Sequence, residues 1–241
     1  MRIPRIFTSQ TLVTGDSIKL DAQASRHLTK VLRMEVSRPL LLFNGEGGEY
    51  SAEIIEVGKT VCVKILEHDS IERASTLEIS LVIGLSKGER FEWVLQKATE
   101  LGVSHIYPLF TERSEVKLRG ERLDKKLDHW RKIIVSACEQ CQLNRLPTLH
   151  APKPLFEVVN DIDADKKLVL HHRTQAQLVG QEKPGSVAIL IGPEGGLSEE
   201  EISQAEQAGF DALRLGPRIF RTETAPIAAI SILQFQWGDL C

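Results

Sequence analysis

Leu77-Glu78-Ile79-Ser80-Leu81-Val82-Ile83-Gly84-Leu85, followed by Glu89-Arg90-Phe91-Glu92-Trp93-Val94-Leu95-Gln96-Lys97-Ala98-Thr99-Glu100-Leu101 and by Val103-Ser104-His105-Ile106-Tyr107-Pro108-Leu109-Phe110, is the stretch on which the fold turns. Two near-continuous apolar runs flank a segment whose Phe91, Val94, Leu95, Ala98 and Leu101 recur at helical spacing, so the stretch reads strand, helix, strand. The alternation continues with a helix over 121–142, strands over 167–171 and 187–191, a helix over 199–208, a strand over 211–215 and a last helix over 222–237. Apolar strands separated by helices predict an α/β domain, a mostly parallel sheet with helices on both faces.

Upstream the pattern is different. Residues 40–43, 50–57 and 61–66 read as short strands, with a hairpin marked by Asn44-Gly45 and Gly47-Gly48 and one helical stretch over 22–33. A small β-rich barrel with one helix fits, and the boundary falls near residues 70–76: a first domain over 1–72 and a second over 73–241.

The 241 residues carry 30 Lys and Arg against 33 Asp and Glu, and 42% are apolar, which excludes a disordered or fibrous chain. No apolar run reaches the length of a membrane span, and the first residues lack the apolar core of a signal peptide, so a cytoplasmic protein is expected. Charge is uneven: residues 1–40 hold seven basic groups against three acidic ones. A basic segment on an otherwise acidic chain suits a polyanion such as RNA and equally suits a solvated surface.

Cys138-Glu139-Gln140-Cys141 lies late in a helical pattern, not at a helix start after a strand, which argues against a thioredoxin-like pair. Neither these cysteines nor His171-His172 has further ligands at metal spacing, so no metal is expected. Gly84-Leu85-Ser86-Lys87-Gly88 matches the hydrolase pattern G-x-S-x-G. The sheet only begins at residue 77, however, and Ser86 with Glu89 has the spacing of a capping box. Neither a G-x-G-x-x-G fingerprint nor a P-loop occurs.

Two other loops are more informative. Ile191-Gly192-Pro193-Glu194-Gly195-Gly196-Leu197-Ser198 leaves a strand and enters a helix that Ser198 and Glu201 would cap. Three glycines and a proline suit a ligand lying against the backbone. Leu215-Gly216-Pro217-Arg218-Ile219-Phe220-Arg221-Thr222-Glu223-Thr224-Ala225-Pro226 again ends a strand at Gly-Pro and starts a helix, because Pro226 is tolerated only in a first turn. If the two strands are neighbours, the loops meet at one site.

These stretches carry a resemblance. With Arg2-x-Pro4-Arg5-x-Phe7, His27 and Val31-Leu32-Arg33, Lys87-Gly88-Glu89-Arg90, residues 96–103 and Glu139-Gln140, they make the chain similar to the bacterial 16S ribosomal RNA uridine N3-methyltransferases (RsmE-type), of the SPOUT class of S-adenosylmethionine-dependent enzymes. The resemblance implies a C-terminal SPOUT domain with a trefoil knot, an N-terminal PUA-like β-barrel that helps bind RNA, and a homodimer acting on the assembled small ribosomal subunit. It also implies a cofactor pocket at Leu170, His171, Ile191, Gly192, Pro193, Gly195, Gly196, Leu215, Gly216 and Ile219. The family's arginine four residues after the first residue of the Glu-Gln pair is Leu143 here, and Arg145 is the nearest substitute.

Methylation at uracil N3 needs an exposed base, loss of the N3 proton and stabilisation of charge on the ring carbonyls. Arg221 is the candidate for that charge, and Glu223 or Glu194 for the proton; a structural ion pair of Arg221 with either glutamate is the competing reading. Arg2, Arg5, Arg26 and Arg33 are candidate phosphate contacts. The alternatives are a SPOUT enzyme acting on another RNA or on a ribose 2′-hydroxyl, a non-catalytic RNA-binding protein of the same fold, and, more remotely, a serine hydrolase.

Overall fold

The computed structural model describes residues 3–171 and 182–240. The chain divides into two compact units, Met1–Ala74 with Cys138–Leu146, and Ser75–Ala137 with Pro147–Cys241. Residues 138–146 pack with the first unit although they follow residue 73 in sequence.

In the first unit, β1 (Arg5–Phe7), β2 (Ser17–Lys19), β3 (Pro39–Phe43), β4 (Glu49–Val57) and β5 (Val61–Asp69) form a sheet in the order β1-β3-β4-β5-β2. Only β1 and β3 pair parallel. Period-2 alternation turns Val61, Val63 and Ile65 inward, where they pack with Leu20, Leu28, Leu40, Leu42 and Ile54. Helix α1 (Ala22–Arg26) starts where the Asp21 carboxylate accepts the amides of Gln23 and Ala24, and it runs on as a π-helical segment over His27–Val31.

The second unit holds β6 (Glu78–Gly84), α2 (Glu89–Glu100), β7 (His105–Phe110), most of α3 (Glu121–Cys141), β8 (Thr148–Leu149), β9 (Lys153–Pro154), α4 (Leu155–Asp161), β10 (Lys166–Leu170), β11 (Ser186–Ile191), α5 (Glu199–Gln207), β12 (Asp211–Leu213) and α6 (Thr224–Trp237). The sheet order is β12-β10-β11-β6-β7-β8, with β9 also on β7, and every described pair is parallel. Strands β6 and β11 are apolar almost throughout because both of their faces are covered. Val82, Val169, Ala188 and Leu190 cluster with Val158 and Val159 of α4 and Ala205 of α5. Helix α6 packs on β11 and α2. Since all strands run the same way, the ends of β10, β11 and β12 share one edge of the sheet.

Candidate active site

That edge opens into a cavity of about 350 Å³, walled by the segments after three neighbouring strands. Residues 170–171 come from the end of β10, residues 191–197 from the end of β11, and residues 214–216 and 218–220 with Thr222 and Ala225 follow β12. All ten residues singled out above as a pocket line it, and so does Glu194. Placement outside the carboxyl ends of strands is where open α/β sheets bind ligands.

The loop after β11 folds on itself: the Gly196 amide donates to the Pro193 carbonyl at 2.8 Å. A Cβ at Gly192 would come within 2.8 Å of the Leu197 nitrogen, so the turn's own closure requires that glycine whatever lies beside it. Ser198 and Glu201 form the expected capping box at the start of α5, where Ser198 accepts from the Glu201 amide at 3.3 Å and Glu201 from the Ser198 amide at 2.9 Å.

The loop after β12 is shorter in strand and richer in charge. The strand stops at Leu213, two residues before the expected end, and the Arg214 Nε turns back to donate to the Gly216 carbonyl at 2.9 Å. Arg218 and Arg221 are exposed, and the Ile219 side chain is 86% exposed at the cavity mouth. The Arg221 carbonyl accepts the amides of Thr224 and Ala225, both at 2.9 Å, which fixes the first turn of α6. Arg221 forms no ion pair with Glu223 or Glu194. Glu194 instead accepts from the Lys87 amide at 3.0 Å and from Arg90 at 3.3 Å. Glu223 stands at the N-cap of α6 with no side-chain capping bond. Neither Arg221 nor Glu223 lines the cavity itself.

The phosphate candidates separate. Arg26 and Arg33 are exposed, and Arg2 lies outside the described residues. Arg5 is corrected: its side chain is 4% exposed, it pairs with Glu49, donates to Asn144 Oδ1 at 2.7 Å and lies 4.8 Å from the Phe43 ring centre. Its guanidinium is a structural group held away from solvent through its two terminal nitrogens, while Nε is buried with no hydrogen-bond partner among the described residues. Arg145 sits near Glu72, with 3.7 Å between Nε and the carboxylate, while Leu143 is buried. Glu139 accepts the Phe7 amide at 3.0 Å, and burial holds its carboxyl above the usual range despite that bond.

The capping role read for Ser86 is also corrected, because the N-cap of α2 is Gly88, with no side-chain capping bond. Ser86 Oγ is buried with no hydrogen-bond partner among the described residues, so no base is placed to activate it. Burial pushes the Cys138 thiol up to about 12, which makes it an inert core group at neutral pH. No cluster of three metal-ligating side chains exists among the described residues. His172 falls outside them.

Residues that the sequence did not reveal are Arg113, Leu197, Glu199 and Ile202 in the cavity wall. Arg113 arrives from the segment after β7, and no pattern at its own position signals that approach.

Residues 72–234 match the model of the RNA methyltransferase domain, and residues 20–66 that of the RNA methyltransferase PUA domain. The chain is 36% identical to the Ribosomal RNA small subunit methyltransferase E of Buchnera aphidicola subsp. Schizaphis graminum (strain Sg), over 99% of this chain and 98% of that one. Among solved structures it superposes on a Legionella pneumophila protein in complex with the bound cofactor SAM, with a TM-score of 0.97, 43% identity and 100% of both chains covered. It also superposes on a Ribosomal RNA small subunit methyltransferase E from Neisseria gonorrhoeae bound to S-adenosyl methionine, with a TM-score of 0.93, 36% identity and 100% of both chains covered.

Proposed function

The chain belongs to the ribosomal RNA small subunit methyltransferase E family, and from that membership we propose that it transfers a methyl group from S-adenosylmethionine to N3 of a uridine in the decoding region of 16S ribosomal RNA, within the small ribosomal subunit. The observation that carries this reading is the three-loop cavity with an exposed arginine, Arg221, beside its mouth at the first turn of α6 and without an ion-pair partner among the described residues.

The cavity fits the cofactor in size and chemistry. Its volume of about 350 Å³ lies in the range of small-molecule sites. Leu170, Ile191, Leu197 and Leu215 would give apolar walls for a purine, and Glu194 and Glu199 add negative charge suited to an ammonium or sulfonium. The chain threading implied for the SPOUT class is part of this reading, since three separate loops converge on the one cavity.

S-adenosylmethionine, when bound, supplies an electrophilic methyl group on sulfur. The apolar walls exclude water, and the loops fix the direction from which an acceptor approaches. Arg221, together with the positive end of α6, stabilises the charge that develops on the uracil carbonyls as the N3 proton leaves. Glu223 takes that proton, because Glu194 is already engaged by the Lys87 amide and Arg90. In the N-terminal unit, exposed Arg26 and Arg33 contact RNA phosphates.

The protein acts in the cytoplasm as a homodimer. Support for the second copy comes from α6, a mostly apolar helix that leaves Ile232 40% and Phe235 68% exposed. No described helix is long and apolar enough to cross a membrane.

The test is transfer of labelled methyl from S-adenosylmethionine to small subunits that lack the modification, followed by digestion to nucleosides. Label in 3-methyluridine is the expected result. Label in a ribose-methylated nucleoside overturns the target atom, and no label in a preparation that binds the cofactor overturns the substrate.

A further inference from the structure

The glycine loop after β11 is held by two consecutive residues, Glu112 and Arg113, on the segment that follows β7, and Arg113 itself lines the cavity. Arg113 NH1 donates to the Gly195 carbonyl at 3.1 Å and to the Leu197 carbonyl at 3.3 Å. The Glu112 amide donates to Glu201 Oε1 at 2.8 Å, and the other oxygen of the same carboxylate accepts the Ser198 amide at 2.9 Å. Glu201 is 8% exposed, so this double acceptance takes place out of water, where such bonds hold best.

The latch is itself anchored. Ser114 Oγ donates to the Leu85 carbonyl at 2.9 Å, and the Ser114 amide closes a turn onto the Thr111 carbonyl at 3.1 Å. A Cβ at Gly195 would stand 2.9 Å from the Arg113 Cβ, so glycine at 195 makes room for the arginine stem. Residues 112 and 113 thus bracket the wall of the cavity from residue 195 to residue 198.

We infer that Arg113 is a positioning residue for the cofactor: by bonding the Gly195 and Leu197 carbonyls it sets the shape of the loop against which S-adenosylmethionine binds, and Glu201 couples the same loop to residues 112–114. The inference rests on the cofactor reading above. Because coupling is reciprocal, a ligand that favours the closed loop strengthens the bonds of residues 112–114 in return.

The test compares Arg113→Met, which keeps the stem over Gly195 and removes both bonds, and Arg113→Lys, which restores one donor, with the parent chain by calorimetric titration. The probes are S-adenosylmethionine and 5′-methylthioadenosine, which lacks the carboxylate and ammonium of the full cofactor. The expected result is that Arg113→Met weakens both ligands by a similar factor, about tenfold for two lost charge-assisted bonds only partly replaced by water. Arg113→Lys should recover part of the loss, with the thermal midpoint of both variants close to the parent's. Amide exchange at residues 112–114 should slow when S-adenosylmethionine is added to the parent and not to Arg113→Met. Unchanged affinity in Arg113→Met overturns the inference. So does weakening of S-adenosylmethionine alone, which would mean direct contact with the cofactor's carboxylate, and so does a loss that follows a fall in thermal midpoint. Absence of S-adenosylmethionine binding by the parent overturns the cofactor reading instead, and the inference falls with it.

Discussion

The loops after β11 and β12 each leave a parallel strand toward a Gly-Pro pair and wall the same cavity, yet they are held differently. The first is fixed by its own turn, by the Ser198–Glu201 box, by Arg113 and by the contacts of Glu194 with the Lys87 amide and Arg90. The second has the Arg214 return to Gly216 and the helix-starting bonds to the Arg221 carbonyl, while Arg218, Ile219 and Arg221 face solvent. One wall is built in advance and the other presents charge outward. That division suits a site that must recognise a small cofactor of fixed shape and also meet a large polyanion from outside. The N-terminal unit repeats it on arginines alone, with Arg5 buried in an ion pair and Arg26 and Arg33 exposed.

The largest expected effect tests the fixed side. Arg5→Ala leaves Asn144 Oδ1 and the Leu143 carbonyl without their donor and Glu49 with Arg73 alone, and should cost about 3–5 kcal/mol of stability, measured by urea unfolding. A cost under about 1 kcal/mol accompanied by a changed salt dependence of RNA binding would return Arg5 to the phosphate contacts and break the contrast. On the presented side, Arg221→Ala should lower kcat about 10²- to 10³-fold while cofactor affinity and unfolding midpoint stay near the parent's. A variant that keeps full turnover removes the catalytic role. Ser198→Ala sharpens the same contrast more gently. Loss of the cap should cost about 1 kcal/mol and also weaken cofactor binding, because the cap and the cavity wall are one structure.

Much of this was legible in the sequence because the relevant signals are local. The strand-helix-strand reading over 77–110 follows from apolar period, and the Ser198 box from a spacing of three residues. Strand β1 and strands β8 and β9 were not legible: three or two residues are too few to show a period. Helix α4 is not legible either, because Leu155, Val158 and Val159 after Pro154 read as well for a short strand as for a helix. Arg5 misled for a different reason. Its charge is local information, but its burial depends on Glu49 and Asn144, which lie 44 and 139 residues away. Arg113 was missed for the same cause, since the carbonyls it serves are 82 and 84 residues downstream.

The smallest predicted effect concerns the exposed arginines of the first unit. Arg26 ends α1 and Arg33 follows the π-helical segment, where a backbone φ of 51° holds it in the left-handed region. Exposed guanidinium groups that meet phosphates act by releasing condensed counterions, so each contact contributes about one unit to the slope of log affinity against log salt. Arg26→Ala and Arg33→Ala should each flatten that slope by about 1 in titrations with a 16S ribosomal RNA fragment, leaving the unfolding midpoint and the cofactor affinity unchanged. The double variant should flatten it by about 2, because separate phosphates add. If either single variant leaves the slope as it was, that arginine is a solvated surface group, and exposure alone does not distinguish the phosphate contacts of this unit.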